Sequence, residues 1–208
     1  MTTCEVCDGA GRPVGYAGLR RCGACTHVWA DLSLDPDAIA RLYQRSYFFG
    51  DEYGNYLEDR RVIEKNFSGR LATLGRFVTG AHRSLFEVGS AYGFFLNAAR
   101  GAFASVRGID VSEDAVRFAR EQLGLDVTCG DLLAQDLSGQ TFDVVCLWDT
   151  IEHLAAPRQY LEKVSDQMPA GSLIAITTGD IGSLNARFQK GRWRLIHPPT
   201  HLHYFTKR

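Results

Sequence analysis

Ser84-Leu85-Phe86-Glu87-Val88-Gly89-Ser90-Ala91-Tyr92-Gly93-Phe94-Phe95-Leu96 is the stretch on which the reading of this chain turns. An apolar run carries a carboxylate, meets two glycines four apart, and continues in a helix-like pattern. That order predicts a strand, a tight turn and a helix N-terminus, the place where an α/β protein holds a nucleotide-like ligand. Gly89 suits the sharp turn, and Gly93 is expected to let the backbone pass close to a ligand.

A dinucleotide fingerprint requires G-x-G-x-x-G, but position 91 is Ala and position 94 is Phe. The missing third glycine normally permits close helix–strand packing. Further acids follow in rhythm. Val106-Arg107-Gly108-Ile109-Asp110 ends in a carboxylate 23 residues after Glu87, Asp131 follows 21 residues later, and Asp149 follows 18 after that. A single acid at a strand end is ordinary. Four in this rhythm predict repeated βα units whose strand ends share one sheet edge, the ligand-binding edge of an open parallel sheet.

The pattern Glu87-x-Gly89-x-x-x-Gly93 with these acids resembles motif I and its successors in the class I S-adenosylmethionine (SAM) methyltransferases, over about residues 84 to 180. The resemblance implies an α/β fold: a Rossmann-like, doubly wound, mostly parallel sheet. It also implies SAM held by Glu87, Gly89, Ser90, Ala91 and Gly93, by Asp110 and Val111, by Asp131 and Leu132, and by Trp148 and Asp149. Asp110 would accept from the ribose hydroxyls and the third acid from an adenine amino group.

Cys4-Glu5-Val6-Cys7 and Cys22-Gly23-Ala24-Cys25 stand fourteen residues apart, with Gly9, Gly11, Gly15 and Gly18 between them. This is zinc-ribbon spacing, in which two thiolate pairs close a tetrahedral site. A redox CxxC usually sits on a βα unit, and none is predicted here. Four protein ligands leave no open position, so Zn2+ at Cys4, Cys7, Cys22 and Cys25 is expected to be structural. A module this short has little core, and metal binding would supply its folding energy. His27 reads as a packing residue.

Asp35 and Pro36 start a short predicted helix. An aromatic cluster follows, with Tyr43, Tyr47, Phe48, Phe49, Tyr53 and Tyr56. Together with the cysteine pairs and motif I it resembles bacterial methyltransferases bearing an N-terminal zinc-binding segment. In those the linker folds over the cofactor, which implies contacts from Tyr47 and Tyr53. Ile63, Phe67, Leu71, Leu74 and Val78 predict an amphipathic helix over 58–79 laid on the sheet. The expected divisions are a zinc-ribbon-like module at 1–34, a helical and aromatic linker at 35–80, and the SAM-binding domain at 81–208.

Beyond Asp149, the "DTIEHL" of residues 149–154 resembles small-molecule methyltransferases of the ubiquinone-biosynthesis type. Methyl transfer mainly asks that a nucleophile be aligned. His153 is the candidate catalytic base, with a packing role as its alternative. Arg187, Lys190, Arg192 and Arg194 read as a solvated loop or a contact for an anionic acceptor. The histidines at 197, 201 and 203 have acids only far away in sequence, which argues against a metal site; the resemblance implies instead a substrate-side loop, with His201 facing the acceptor.

The chain has 208 residues, 45% hydrophobic and 11% aromatic, and a net charge of −1 from 23 basic and 24 acidic residues. This suits a packed domain plus a small module and does not favour a protein that coats nucleic acid. With no apolar run of membrane-spanning length and no leader, the reading is a cytoplasmic enzyme. Its partner is expected to be a small or carrier-linked methyl acceptor. RNA methylation with the ribbon holding RNA, and SAM binding without catalysis, are the alternatives. After Thr178 only thirty residues follow, including Pro198-Pro199, which cannot form a central strand. The resemblance implies two further strands closing the sheet, so the sheet is expected to lack its last strands, leaving the fifth as an apolar edge open to pairing with another chain.

Overall fold

The computed structural model describes residues 3–15, 18–32 and 56–207. Within it the chain divides into two compact units. One comprises residues 37–147 and 163–175; the other comprises 1–36, 148–162 and 176–208.

The first unit is built on β4 (Ser84–Val88), β5 (Ser105–Asp110), β6 (Asp126–Cys129), β7 (Val144–Trp148) and β8 (Leu173–Thr177). The last residues of β7 and β8 belong to the second unit. The sheet order is β6-β5-β4-β7-β8, and the ladders β4/β5, β5/β6 and β4/β7 are parallel. The reversal on either side of β4 is the switch point of a doubly wound sheet, and the glycine turn leaves from its end. The Rossmann-like class expected from the acid rhythm is what folds.

Helix α3 (Glu113–Leu123) starts where the sequence predicts. Ser112 Oγ accepts from the Ala115 amide at 3.4 Å, and Glu113 and Asp114 sit in the first turn, where acids suit the positive helix end. Gly124 closes it in the left-handed region at φ 61°. The core of this unit is aromatic and aliphatic. Phe86 stacks on Phe142 at 4.4 Å, and Phe95 and Leu96 are fully buried.

One expectation needs correction here. Helix α1 (Arg60–Leu74) is shorter than 58–79 and leaves Val78 outside. Among the described elements it packs on α2 (Phe94–Ala99), with Phe67 edge-on to Phe95 at 5.6 Å. The reason is that α2 carries an unusually bulky Phe94-Phe95-Leu96 start, which needs a covering layer. Tyr56, from the aromatic linker, joins this layer by stacking on Tyr92 at 5.4 Å and Phe94 at 5.8 Å. Tyr47 and Tyr53 lie outside the described residues.

The second unit carries β1 (Gly11–Pro13), β2 (Leu19–Cys22), β3 (Val28–Ala30) and β9 (His203–Tyr204), an antiparallel sheet in that order. Val28 pairs with Tyr204 and Trp29 with His203. Leu19, Val28, Ala30 and Tyr204 form a small core with Ile181 and Ile196. The cysteine module thus obtains from the last thirty residues the apolar surface that its own sequence lacks. The 197–203 stretch is not wholly loop, and neither is the cationic run: α4 (Pro157–Ser165) is followed after β8 by α5 (Leu184–Gln189) and a 3-10 turn, Lys190–Arg192. As expected, β8 ends the sheet order, with Ile174 and Ile176 about 40% exposed.

Candidate functional site: strand ends, four thiols and a histidine cluster

In the first unit, backbone bonds stitch three strand ends together. The Gly89 and Ser90 amides both donate to Ile109 O, at 2.9 and 3.1 Å, and Gly130 N donates to Asp110 O at 2.8 Å. Gly89 sits at φ 75°, Ala91 at 46° and Gly93 at 78°. The turn therefore needs the left-handed region three times in five residues. Asp110 braces it: Oδ2 accepts from Ala91 N at 2.7 Å and Oδ1 from Ser112 N at 2.9 Å. Burial still lifts the Asp110 carboxyl above its ordinary range, against these amide bonds. Burial, with Asp110 as the second cause, pushes Glu87 well above its own.

Glu87, Ser90, Ala91, Gly93, Asp110, Val111, Asp131 and Leu132 are thus held along one edge. Asp131 caps the 3-10 turn Leu132–Ala134 through Leu133 N at 2.7 Å. Leu132 is buried, whereas Val111 is 40% exposed, unusual for a large aliphatic side chain beside a buried acid. Glu87 Oε2 and Ser90 Oγ are buried with no hydrogen-bond partner among the described residues. Such atoms suit a ligand that brings donors.

Gly93 has a packing reason beside the one the sequence suggests. A Cβ there would meet Leu125 Cδ1 at 2.5 Å and Ala119 Cβ at 3.1 Å, so helix packing by itself requires a glycine here. Gly108, which sequence reasoning passed over, matters similarly. Its Cβ would lie 2.6 Å from Leu96 Cδ1 and 2.9 Å from Ser90 Oγ. A glycine inside an apolar strand facing the motif was the available signal.

In the second unit, Asp149 occupies φ 51°, and its Oδ1 accepts from Thr177 Oγ1 at 3.0 Å. Trp148 closes β7 beside it in sequence. The four cysteines converge. Cys4 Sγ and Cys25 Sγ are 3.6 Å apart, Cys7 Sγ and Cys22 Sγ 3.5 Å, and no disulfide forms. Zinc–sulfur bonds of about 2.3 Å place tetrahedral ligands roughly 3.8 Å apart, so these thiols fit the ion. The Cys25 and Ala24 amides donate to Cys22 Sγ and hold that thiol at about 6, while burial pushes Cys25 up to about 12. Gly9 is obligatory: a Cβ there would stand 2.8 Å from Cys22 Sγ. His27 is no ligand of this group. It is buried and bonded through Nε2 to His203 Nδ1 at 2.9 Å.

His153 is half-buried in the 3-10 turn Ile151–His153. Its Nδ1 lies 2.8 Å from Thr200 O, and burial, then His201, lowers it to about 4. Glu152 and His201 are buried beside it. The acid absent from the local sequence around His201 is supplied by Glu152.

A family model described as "Methyltransferase domain" matches residues 56–208. The chain belongs to this methyltransferase family. Curated relatives include a ubiquinone biosynthesis O-methyltransferase of Parvibaculum lavamentivorans, 27% identical over 164 residues, covering 70% of this chain and 63% of the relative. Another, of the same name from Ruegeria pomeroyi, is 28% identical over 159 residues, covering 70% of this chain and 64% of its own. The chain therefore spans somewhat under two thirds of the length of these relatives. A solved methyltransferase structure from Bacillus halodurans overlays with a TM-score of 0.53 at 15% identity, covering 66% of this chain and 63% of the other, and supports the fold. No helix among the described residues is long and apolar enough to cross a membrane.

Proposed function

We propose that the protein binds SAM along the β4–β5–β6 edge and directs methyl transfer to a hydroxyl of a small or carrier-linked molecule. The observation that carries this is the pair of buried, unpartnered oxygens, Glu87 Oε2 and Ser90 Oγ, at a turn braced by Asp110. The ammonium of a SAM methionine end offers donors of the kind these atoms lack. Asp110 keeps spare lone pairs for the ribose, and exposed Val111 offers an apolar face for adenine. When bound, SAM supplies an already activated methyl group. The O-acceptor rests on the names of the curated relatives.

His153 stands as the candidate proton acceptor, neutral near pH 7. Held at about 4, it is a weak base toward a hydroxyl of pKa about 10, so the acceptor itself has to be acidified. The four thiols are read as a structural zinc site whose occupancy ties β1–β3 together. Calorimetry with SAM and its demethylated product, followed by labelled-methyl transfer to candidate hydroxylated acceptors, tests the reading. Tighter binding of NAD than of SAM would overturn it.

A further inference from the structure

We propose that α5 and the turn after it dock an acidic amphipathic helix of a partner protein. The short helix faces the unusual way round. Leu184 is 82% exposed and Phe188 88%, whereas Ala186 between them is buried. A surface helix normally turns its large apolar residues inward. Residues four apart share one face, so Leu184 and Phe188 stand together on the outside. The helix itself is well made. Ser183 Oγ accepts from Ala186 N at 3.2 Å, and Gln189 Nε2 donates to Asn185 Oδ1 at 2.9 Å. Buried Trp193, whose amide donates to Lys190 O at 3.0 Å, seats the turn that follows.

The charge around the apolar pair is of one sign. Arg187, Lys190, Arg192 and Arg194 are all exposed, and none of them forms an ion pair among the described residues. Residues 181–208 hold six Lys and Arg and no Asp or Glu, although the whole chain has a net charge of −1. Two apolar anchors ringed by cations call for a surface that brings carboxylates beside an apolar stripe. An acidic amphipathic helix brings both. Its stripe packs on Leu184 and Phe188, and its Glu and Asp meet the cations. Three of the four cations are Arg, which forks carboxylates and is enriched in protein interfaces, where Lys is depleted. A lipid surface fits less well. Segments at a membrane surface anchor with Trp and Tyr, and here Trp193 and Tyr204 are buried.

The face continues into the segment bonded to the candidate base. Leu195 directly follows Arg194, and its carbonyl lies 2.8 Å from His201 Nδ1; Thr200 O lies 2.8 Å from His153 Nδ1. A docked partner would present what it carries toward that segment. That the partner is the carrier of the methyl acceptor rests on the proposed function; the docking itself does not. A six-residue helix offers a small contact, so the complex is transient and weakened by salt.

The test uses full-length protein and a fluorescent, stapled helical peptide with Leu at i and i+4 and Glu along both flanks. Wild type should bind this peptide, less tightly as salt rises, and should bind the same peptide with Lys for Glu at least about tenfold more weakly. Phe188→Ser, and separately Arg187→Glu combined with Arg192→Glu, should each lower affinity for the acidic peptide by at least about tenfold. All three positions are exposed, so the variants should keep the wild-type thermal midpoint. No binding by wild type would overturn the proposal, as would equal binding of the Lys peptide or affinity indifferent to both variants. Binding to phosphatidylglycerol vesicles but not to the peptide would overturn it in favour of a lipid surface. SAM calorimetry on the same samples reads the proposed function separately, because its cofactor residues lie elsewhere; loss of that reading would leave the docking result standing.

Discussion

Asp110 Oδ2 accepts a 2.7 Å hydrogen bond from the amide of Ala91, tying the end of the second strand of the βα series to the glycine turn that follows the first. A residue expected to serve a ribose is thereby also a structural brace. Its other oxygen serves Ser112 N, at the start of α3. The same carboxylate sets the turn, the next helix and the proposed cofactor edge.

Asp110→Ala should therefore do two things at once. Losing charge-assisted bonds to the buried Ser112 amide and the part-buried Ala91 amide should cost about 1.5–3 kcal/mol of stability, and SAM affinity should fall by a comparable amount. Urea unfolding and calorimetry measure them in parallel. Unchanged stability would refute the bracing role, and unchanged affinity the cofactor placement.

Gly108→Ala is expected to destabilise by about 1–3 kcal/mol, because its Cβ would press on Leu96 and Ser90. Gly101→Ala is the comparison, since nothing lies within 4 Å of a Cβ there, and it should be neutral or slightly stabilising. Equal denaturation midpoints for the two variants would contradict the packing described.

These glycines also mark how far the sequence could be read. The βα rhythm was legible because Glu87, Asp110 and Asp131 repeat at strand ends, and the Ser112 cap because it is local chemistry. The cysteine cluster was legible from spacing alone. The pairing of His203-Tyr204 with Val28–Ala30 was not, because a two-residue strand carries no periodic signal. Nor was the meeting of Glu152 and His153 with His201, which lie 48 or more residues apart and whose segments are tied by the Leu202 N to Glu152 O bond. The contact of the helix at 60–74 with Phe94–Ala99 was not legible either, because an amphipathic stripe says that a face is covered, not by what.

Gly9→Ala should disrupt the four-thiol cluster, as its Cβ would lie 2.8 Å from Cys22 Sγ. Protein purified without added metal should then show depleted zinc and reactive thiols, whereas Gly15→Ala, with open space around it, should keep the ion. Full zinc content in the Gly9 variant would count against the geometry.

The pH dependence of stability should carry a signature of Glu87. Burial raises its folded pKa well above 4.5, so the folded chain keeps a proton that the unfolded chain releases. Its stabilising contribution is complete below about 4.5 and is lost as pH rises through the elevated folded value. Glu87→Gln should remove this loss, so the stability gap should shift in favour of the variant as pH rises above about 4.5. Parallel curves above that pH would show that the carboxyl is ionised in the fold.

The most direct measurement is calorimetric titration of the full chain with SAM and, separately, with NAD. The account predicts saturable binding of one SAM per chain, weakened in Asp110→Ala, with NAD binding more weakly or not at all. Binding of NAD in preference to SAM, or SAM binding indifferent to Asp110, would contradict it.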